Sequence, residues 1–330
     1  MLNKVLVLPL LILSLISCQD EKSFTPAKII PTKIDSLKTN AELEKYIGDS
    51  DSLYRKFTLK KIQELDCNGC DSVLVNFANR LKVDFTYQKV DFDNNGYTDL
   101  LAIGDNNTYT PQNIKSFDVV LSRPFNVIAI MNFGNETKLN TFGDDFYGVV
   151  PKIEYLGSRP LLAIYFPRVQ TVSGFVKQEQ HKALLTFLDG DFVEYNPNPK
   201  SHKIEKIEYS NILFDMEILE NQSEKFDAKY ENYSKPWQRG EQSEGKFEGT
   251  ISDKSWNELK SLLDYVDFES LKPAYHVPWT CDQTANVKIT YDNGKTISIS
   301  DYGHKGTFAL QKFHRLMWEL RTNQNWRTKA

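Results

Sequence analysis

The chain has 330 residues, of which 40% are hydrophobic and 12% aromatic, and its formal net charge is −4 at pH 7. This composition is typical of a folded protein and excludes a mostly disordered one. The mild acidity argues against a nucleic-acid partner, which attracts clustered lysine and arginine side chains.

Residues 1–17 have the layout of a secretory signal peptide, because Lys4 precedes an apolar run over residues 5–16. That run is shorter than the ~20 residues that a membrane-spanning helix needs. The end of the signal resembles the lipobox of bacterial lipoproteins in the four residues Leu15-Ile16-Ser17-Cys18. The resemblance implies that the cysteine is acylated, as with palmitate, and becomes the first residue of the mature chain. A secreted protein without an anchor is the alternative.

A lipid on Cys18 would make the membrane a partner of the chain, because each buried methylene contributes ~0.8 kcal/mol. The charged residues 19–22 resemble the surface-export tag of Bacteroidota-type lipoproteins, and a solvated charge run is the alternative. The resemblance implies a lipid anchor in the outer membrane, at its periplasmic or its surface face. Removal of the signal takes away one lysine and moves the formal charge from −4 to −5.

Residues 18–49 are predicted to be the lipid anchor and a flexible tether, because they are mainly polar and contain Pro26 and Pro31. A short helix is predicted inside this segment at residues 41–47, with Asn40 as its cap. The first folded domain is therefore expected to begin at residue 50.

Residues 50–198 are predicted to form a β-rich domain. A helical pattern at residues 74–81 comes before a series of alternating or continuous apolar runs that predict strands. These runs lie at residues 83–87, 100–103, 117–121, 127–131, 161–166, 184–188 and 192–195. Asp189-Gly190 predicts a hairpin between the last two, because both central residues of a type I′ turn need positive φ.

Residues 203–326 are predicted to form a small α+β domain, an antiparallel sheet with two amphipathic helices. The proline-rich segment 196–199 marks its boundary. Strands are predicted from alternation at residues 204–209, 212–218 and 226–230, and as a hairpin across Asn293-Gly294. Apolar stripes predict helices at residues 256–266 and 310–320, the first behind a capping box of Ser255 and Glu258. The fold class predicted for the whole chain is α+β.

One loop carries a spacing of oxygen side chains that suits a metal ion. Asp91, Asp93, Asn95 and Asp99 stand at positions one, three, five and nine, and Tyr97 offers its carbonyl at position seven. Ca²⁺ favours such a ring of oxygen ligands. With the apolar run that follows, the loop resembles the calcium loop of FG-GAP/VCBS-type β repeats, which implies a structural calcium ion. The alternative is a hydrogen-bonded turn rich in Asp and Asn.

The calcium loop occurs once, so a β-propeller is not predicted, since that fold needs at least about four blades. The glutamate that closes an EF-hand loop is also missing, because position 102 is alanine.

Cys67 and Cys70 form a Cys-x-x-Cys pair at the start of the predicted helix 74–81. A disulfide that staples the loop is one interpretation, and a redox pair is the other, because a helix N-terminus lowers the pKa of a thiol. The residues before the pair do not match the buried strand that precedes a thioredoxin motif. With Cys18 acylated, three cysteines remain and at least one thiol is unpaired or intermolecular.

Cys281 lies in a stretch that contains other potentially reactive side chains. A nucleophile or a metal site would need it to meet residues such as His276, Asp282, Asp301 and His304. The spacing does not require that they meet, and a small buried hydrophobic residue is the alternative for this cysteine.

The C-terminal half resembles the uncharacterised lipoprotein domain family DUF6438. The resemblance lies in Ile204-Glu-Lys-Ile207-Glu-Tyr209, Gly245-Lys-Phe247, Trp279-Thr-Cys-Asp282-Gln283, Tyr291-Asp-Asn-Gly294-Lys295, Asp301-Tyr302-Gly303 and Trp326. Members of the family usually carry Cys-x-x-Cys-Pro after the first strand, where this chain has residues 210–214 without cysteine. The resemblance implies a small lipoprotein-associated module and implies no activity.

Together these observations predict a lipid-anchored cell-envelope protein that acts as a non-enzymatic binding or assembly module. Its expected partners are the membrane, through the lipid on Cys18, and an envelope protein or glycan. One alternative is a thiol-disulfide or hydrolytic envelope enzyme that uses Cys67 and Cys70 or the region of Cys281. The other alternative is a calcium-dependent adhesive module.

Overall fold

The structure is a computed structural model that describes residues 24–64, 72–106, 125–143, 148–167, 169–170, 176–177, 181–220, 225–233, 244–277 and 279–329. The predicted signal peptide, the lipidation site Cys18, the pair Cys67 and Cys70, and the predicted strand at 117–121 lie outside the described residues. Within them the chain is rich in strands and contains helices, which places it in the mostly β or α+β class.

The first sheet is antiparallel throughout. Its strands are β1 (Thr58–Leu59), β2 (Tyr87–Val90), β3 (Asp99–Asp105), β4 (Phe125–Asn132) and β5 (Thr137–Phe142). β3 pairs with β4 and β4 with β5, while β2 and β1 share the other edge of β3. The centre of this sheet is covered on both faces, which explains why β3 and β4 appear in the sequence as continuous apolar runs.

A second antiparallel sheet covers one face of the first. It has the order β11-β10-β7-β6, with β6 (Val150–Leu156), β7 (Arg159–Phe166), β10 (His181–Leu188) and β11 (Asp191–Glu194). A two-stranded ribbon, β8 (Val169–Gln170) and β9 (Val176–Lys177), stands apart. Asp189 and Gly190 have φ of 44° and 92°, so the predicted turn between β10 and β11 is confirmed.

The predicted tether over residues 18–49 is wrong for residues 24–49, which pack on the first sheet. The helices α1 (Lys33–Ser36) and α2 (Asn40–Ser50) bury Ile34, Leu37, Leu43 and Ile47 against β3 and β4. Four apolar side chains are enough because the uncovered face of the sheet is itself apolar. The sparse spacing of these side chains among polar residues is why the sequence resembles a tether.

The helix α2 is longer than predicted at both ends. It is capped by Thr39, whose hydroxyl accepts from the N–H of Glu42 in a capping box. Helix α3 (Ser72–Leu81) agrees with the predicted helical pattern and packs beside the first sheet through Leu74, Phe77 and Ala78.

The C-terminal half is built on one large sheet. Its order is β16-β18-β17-β12-β13-β14-β15-β19, and every pair is antiparallel except β16 with β18. The strands are β12 (Ile204–Ser210), β13 (Phe214–Glu220), β14 (Phe226–Asn232), β15 (Gly245–Thr250), β16 (Ala274–His276), β17 (Thr284–Tyr291), β18 (Lys295–Tyr302) and β19 (Arg327–Thr328). Helices α4 (Asp253–Tyr265) and α5 (Phe308–Asn323) pack on its inner face.

The two halves meet where α5 begins against β11. The Glu194 carboxylate accepts from the N–H groups of Phe308 and Ala309 at 2.8 and 2.9 Å, which caps the helix. The buried Lys312 ammonium donates to the carbonyls of Leu188 and Asp189 at 2.6 and 2.7 Å. Hydrogen bonds from Lys312 of the C-terminal half therefore fix the turn between β10 and β11 of the second sheet.

Candidate functional site

The loop over residues 91–99 joins β2 to β3 and brings three carboxylates together. Asp91, Asp93 and Asp99 each have an oxygen within 4.8 Å of the other two. Asn94 and Gly96 have φ of 59° and 85°, and this left-handed backbone folds the loop back on itself. The three carboxylates could therefore hold a hard divalent cation such as Ca²⁺.

Of the other two predicted ligands, the side chain of Asn95 is placed differently. The side-chain N–H groups of Asn95 donate to Asp93 at 3.0 Å and to the carbonyl of Asn132 at 2.9 Å, and its amide oxygen accepts from the N–H of Tyr97 at 2.7 Å. The ring of Tyr97 lies against Gly134. The side chain of Asn95 thus braces the loop rather than pointing its oxygen at the carboxylates.

The electrostatics of the loop favour neutralisation of its charges. Burial raises the pKa of Asp99 to about 8, against hydrogen bonds donated by the N–H groups of Asn132 and Phe92 at 2.7 and 2.8 Å. Burial and the nearby Asp91 raise the pKa of Asp93 to about 6. Either protons or a cation would relieve the repulsion, and the two compete because metal ligands must be deprotonated.

The N-terminal segment of residues 24–37, here called the strap, closes over this loop. The N–H of Ala27 donates to the side-chain oxygen of Asn94 at 2.6 Å, and the N–H of Ile30 donates to the carbonyl of Gly96 at 2.7 Å. The Thr98 hydroxyl donates to Asp35 at 2.6 Å. The loop and the strap therefore form one structural unit.

Asn132 was not predicted as part of this region and connects its parts. Its N–H donates to Asp99, and its side chain donates to the Thr32 hydroxyl at 3.0 Å and to the Thr98 carbonyl at 3.1 Å. The sequence signal was a polar residue at the end of the apolar run 127–131, which by itself predicts only the end of a strand.

A second cluster of ionisable side chains lies inside the C-terminal half. His314 Nε2 is 3.0 Å from Asp301 Oδ2, and these residues are 3% and 1% exposed. The ring of His304 lies against that of His314, with centroids 4.8 Å apart. Asp301 Oδ1, His304 Nε2 and His314 Nδ1 are buried and have no hydrogen-bond partner among the described residues. Burial and the neighbouring His314 lower the pKa of His304.

Sequence reasoning had named Asp301 and His304 for this region but missed His314. The sequence signal for His314 was its position on the apolar stripe of α5, between Leu310 and Met317, which indicates that this histidine is buried. The carboxylate fixes the orientation of the His314 imidazole and also accepts from the N–H of Gly306 at 3.1 Å.

Cys281 lies outside this buried cluster. Its side chain is exposed, so its interpretation as a small buried hydrophobic residue is wrong. The thiol sulfur is 3.9 Å from the Thr280 hydroxyl, and the neighbouring Asp282 carboxylate accepts from Trp279 Nε1 at 2.9 Å. Across the described ranges, three or more potential metal ligands converge only at the loop of residues 91–99. Cys281 and His276 therefore belong to no such group in the region around Cys281.

The outer face of the large sheet is polar and forms an open groove of about 880 Å³. Oppositely charged side chains alternate across neighbouring strands, with Lys206 2.6 Å from Glu217 and Lys288 3.1 Å from Glu208. Serine and asparagine side chains continue the face at Ser210, Asn286, Ser298 and Ser300. The helices α4 and α5 cover the opposite face of the sheet and leave this one open. Because its lysine and acidic side chains are similar in number, the groove is a broad surface of balanced charge.

Comparison with protein families gives a match in the C-terminal half. A family described as Domain of unknown function (DUF6438) matches residues 213–321, from the residue before β13 to α5. Comparisons with curated proteins and with solved structures gave no match. Within the described part of the chain, no helix combines the length and apolarity needed to cross a membrane. The C-terminal half is therefore similar to a family of unknown function, which confirms the resemblance seen in its sequence.

Proposed function

We propose that this chain is a lipid-anchored protein of the cell envelope that binds a partner and is not an enzyme. The observation that carries the location is the sequence Leu15-Ile16-Ser17-Cys18 at the end of an apolar signal. In this proposal the β-rich N-terminal half lies next to the anchor, and the α+β C-terminal half presents the binding surface.

The anchor is tested by fractionation and acyl labelling of the Cys18→Ser variant. We expect the wild-type chain to incorporate labelled palmitate and to sediment with the membranes. The variant should lose the label and appear in the soluble fraction. A variant that remains labelled and membrane-bound would contradict the anchor at this residue.

The groove on the outer face of the large sheet supports a binding role. Charged groups with complementary potentials steer association and fix the register of two proteins, and this face offers alternating lysine and glutamate side chains with serine between them. The aromatic residues of its lining, Tyr209, Tyr230 and Phe247, are buried and give no ring for a sugar to stack on. We therefore expect an envelope protein rather than a glycan.

Site-specific photocrosslinking in intact cells tests this surface. A photoreactive residue at Ser298, which is exposed in the groove, should give a discrete crosslinked product. The matched control is Lys254, which is exposed on α4 on the opposite face. Equal crosslinking at the two positions, or a crosslink only to polysaccharide at Ser298, would contradict a protein partner at the groove.

A calcium-dependent role is the second candidate, because three carboxylates converge at the loop of residues 91–99. The strap and Asn132 rest on that loop, so a bound ion would stabilise the N-terminal half. Thermal unfolding with Ca²⁺ and with chelator distinguishes this role from a hydrogen-bonded turn. The thiol-disulfide alternative rests on Cys67 and Cys70, and a thiol titration of the folded protein tests it.

A further inference from the structure

The strap fixes how far the protein can lie from its proposed anchor. Phe24 is the first described residue, and its carbonyl accepts from the Ser158 hydroxyl at 2.7 Å. The Arg159 guanidinium lies over the Phe24 ring, 5.6 Å from its centroid. The start of the strap is therefore attached to the turn between β6 and β7, which is defined here as residues 155–159 and called the β6–β7 turn.

Only six residue steps separate Cys18 from Phe24. Since an extended chain spans at most ~3.6 Å per residue, a lipid on Cys18 would keep Phe24 within about 22 Å of the membrane surface. A tether over residues 18–49 would have allowed several times that distance. The docked strap thus places the β6–β7 turn among the parts of the protein nearest to the bilayer.

The strap and the β6–β7 turn expose several large hydrophobic side chains. Eight large hydrophobic side chains are exposed among the described residues, and four of them lie in the strap or in the β6–β7 turn. These are Ile29, Ile30, Tyr155 and Leu156. Tyrosine suits the boundary between lipid headgroups and water because its ring is apolar and its hydroxyl is polar.

Two positive charges flank these residues, beside the acidic loop of residues 91–99 on which the strap lies. Lys28 is exposed in the strap between Phe24 and Ile29, and Arg159 closes the β6–β7 turn. Cations close to a membrane surface are attracted to anionic headgroups. The strap and the β6–β7 turn therefore each offer exposed apolar side chains and a positive charge, and the anchor would bring the start of the strap to the membrane.

We propose that the strap and the β6–β7 turn rest on the headgroup layer of the membrane that holds the lipid of Cys18. This inference rests on the proposed lipid anchor. In this arrangement the N-terminal half contacts the membrane in addition to the lipid on Cys18, and this second contact fixes the orientation of the protein. A protein that hung freely from its lipid would leave Tyr155 and Leu156 in water.

The test uses the full lipidated chain in vesicles of phosphatidylethanolamine and phosphatidylglycerol that contain a headgroup-level nitroxide lipid. The Tyr155→Trp variant reports on the β6–β7 turn, and Ile212→Trp is the matched control. Tyr155 and Ile212 are 65% and 68% exposed, and Ile212 lies between β12 and β13 in the C-terminal half. The native tryptophans are common to both variants.

We expect the added fluorescence of Tyr155→Trp to be quenched at least twofold more than that of Ile212→Trp. Equal quenching while both variants float with the vesicles would overturn this inference and leave the lipid anchor intact. Failure of both variants to float would overturn the anchor, and this inference with it.

Discussion

The loop of residues 91–99 and the cluster around Asp301 solve the same electrostatic problem in different ways. The loop gathers three carboxylates where β2 passes into β3: Asp99 is buried, whereas Asp91 and Asp93 are half-buried and can meet water and ions. The Asp301 carboxylate lies in the core and depends on His314 and the N–H of Gly306. The core cluster should therefore be sensitive to the loss of a partner, whereas the loop should also be sensitive to dissolved cations.

The largest expected effect comes from removal of the core carboxylate. Breaking a buried pair by removing one partner costs about 3–5 kcal/mol, so Asp301→Ala should lower the free energy of unfolding by ~3 kcal/mol. The matched change in the loop, Asp91→Ala, should cost about 1 kcal/mol, since that carboxylate is half-buried and its donors can bind water. Urea unfolding at neutral pH measures both values. Equal losses of unfolding free energy in the two variants would contradict the difference between the core cluster and the loop.

The next effect belongs to the loop. Calcium at about one hundred times its dissociation constant should stabilise the folded chain by ~2.7 kcal/mol. Asp99→Asn should abolish this gain because it removes one of the three carboxylates that could bind the ion. Asp301→Asn serves as the control and should keep the gain. The measurement is the melting temperature in Ca²⁺ and in chelator, and no shift at millimolar Ca²⁺ would exclude the loop as a calcium site.

The core cluster should instead respond to pH. The pKa of His304 in the folded chain is lowered below its ordinary 6.5 by burial and by His314, while Asp282 and Asp301 oppose the shift. The unfolded chain therefore takes up the proton first, so the contribution to stability is present above pH 6.5 and is lost as the pH falls below it. One proton gives a slope of at most ~1.4 kcal/mol per pH unit.

The matched variant for this pH dependence is His304→Asn. The backbone φ at this position is 54°, a left-handed value that asparagine tolerates. The variant should lose less stability than the wild type when urea unfolding is compared at pH 6.5 and pH 5. An unchanged slope would show that other groups cause the acid sensitivity.

The smallest effect concerns the strap. Thr98→Val removes the hydroxyl that donates to Asp35 and should cost about 1 kcal/mol, a typical net value for one hydrogen bond. Thr250→Val is the control, because its hydroxyl donates to Asp227 at a similar 2.7 Å on an exposed surface. Hydrogen exchange adds a local readout: Thr98→Val should speed exchange at Ile30, and Thr250→Val should leave it unchanged.

Local signals in the sequence predicted most elements of regular structure. Alternation with period two, apolar stripes on helices and the pairs Asp189-Gly190 and Asn293-Gly294 are such signals, and most of the elements that they predict within the described residues are present. The alternation at residues 83–87 is an exception, because β2 begins only at Tyr87. Even so, α4 begins two residues before the predicted capping box, with Ser252 as its cap, because several serines nearby can serve. The oxygen-rich spacing of the loop was also visible in the sequence.

Which polar side chains meet could be seen only in the folded chain. Asn132 bonds to Thr32 across 100 positions of sequence, and Lys312 bonds to Asp189 across 123. The folded chain also shows that residues 24–49 are packed rather than free, because the apolar face that receives them is made by β3 and β4, far along the chain. Periodicity reports only on neighbours along the chain, so contacts between distant segments follow from shape and burial once the sheets have formed.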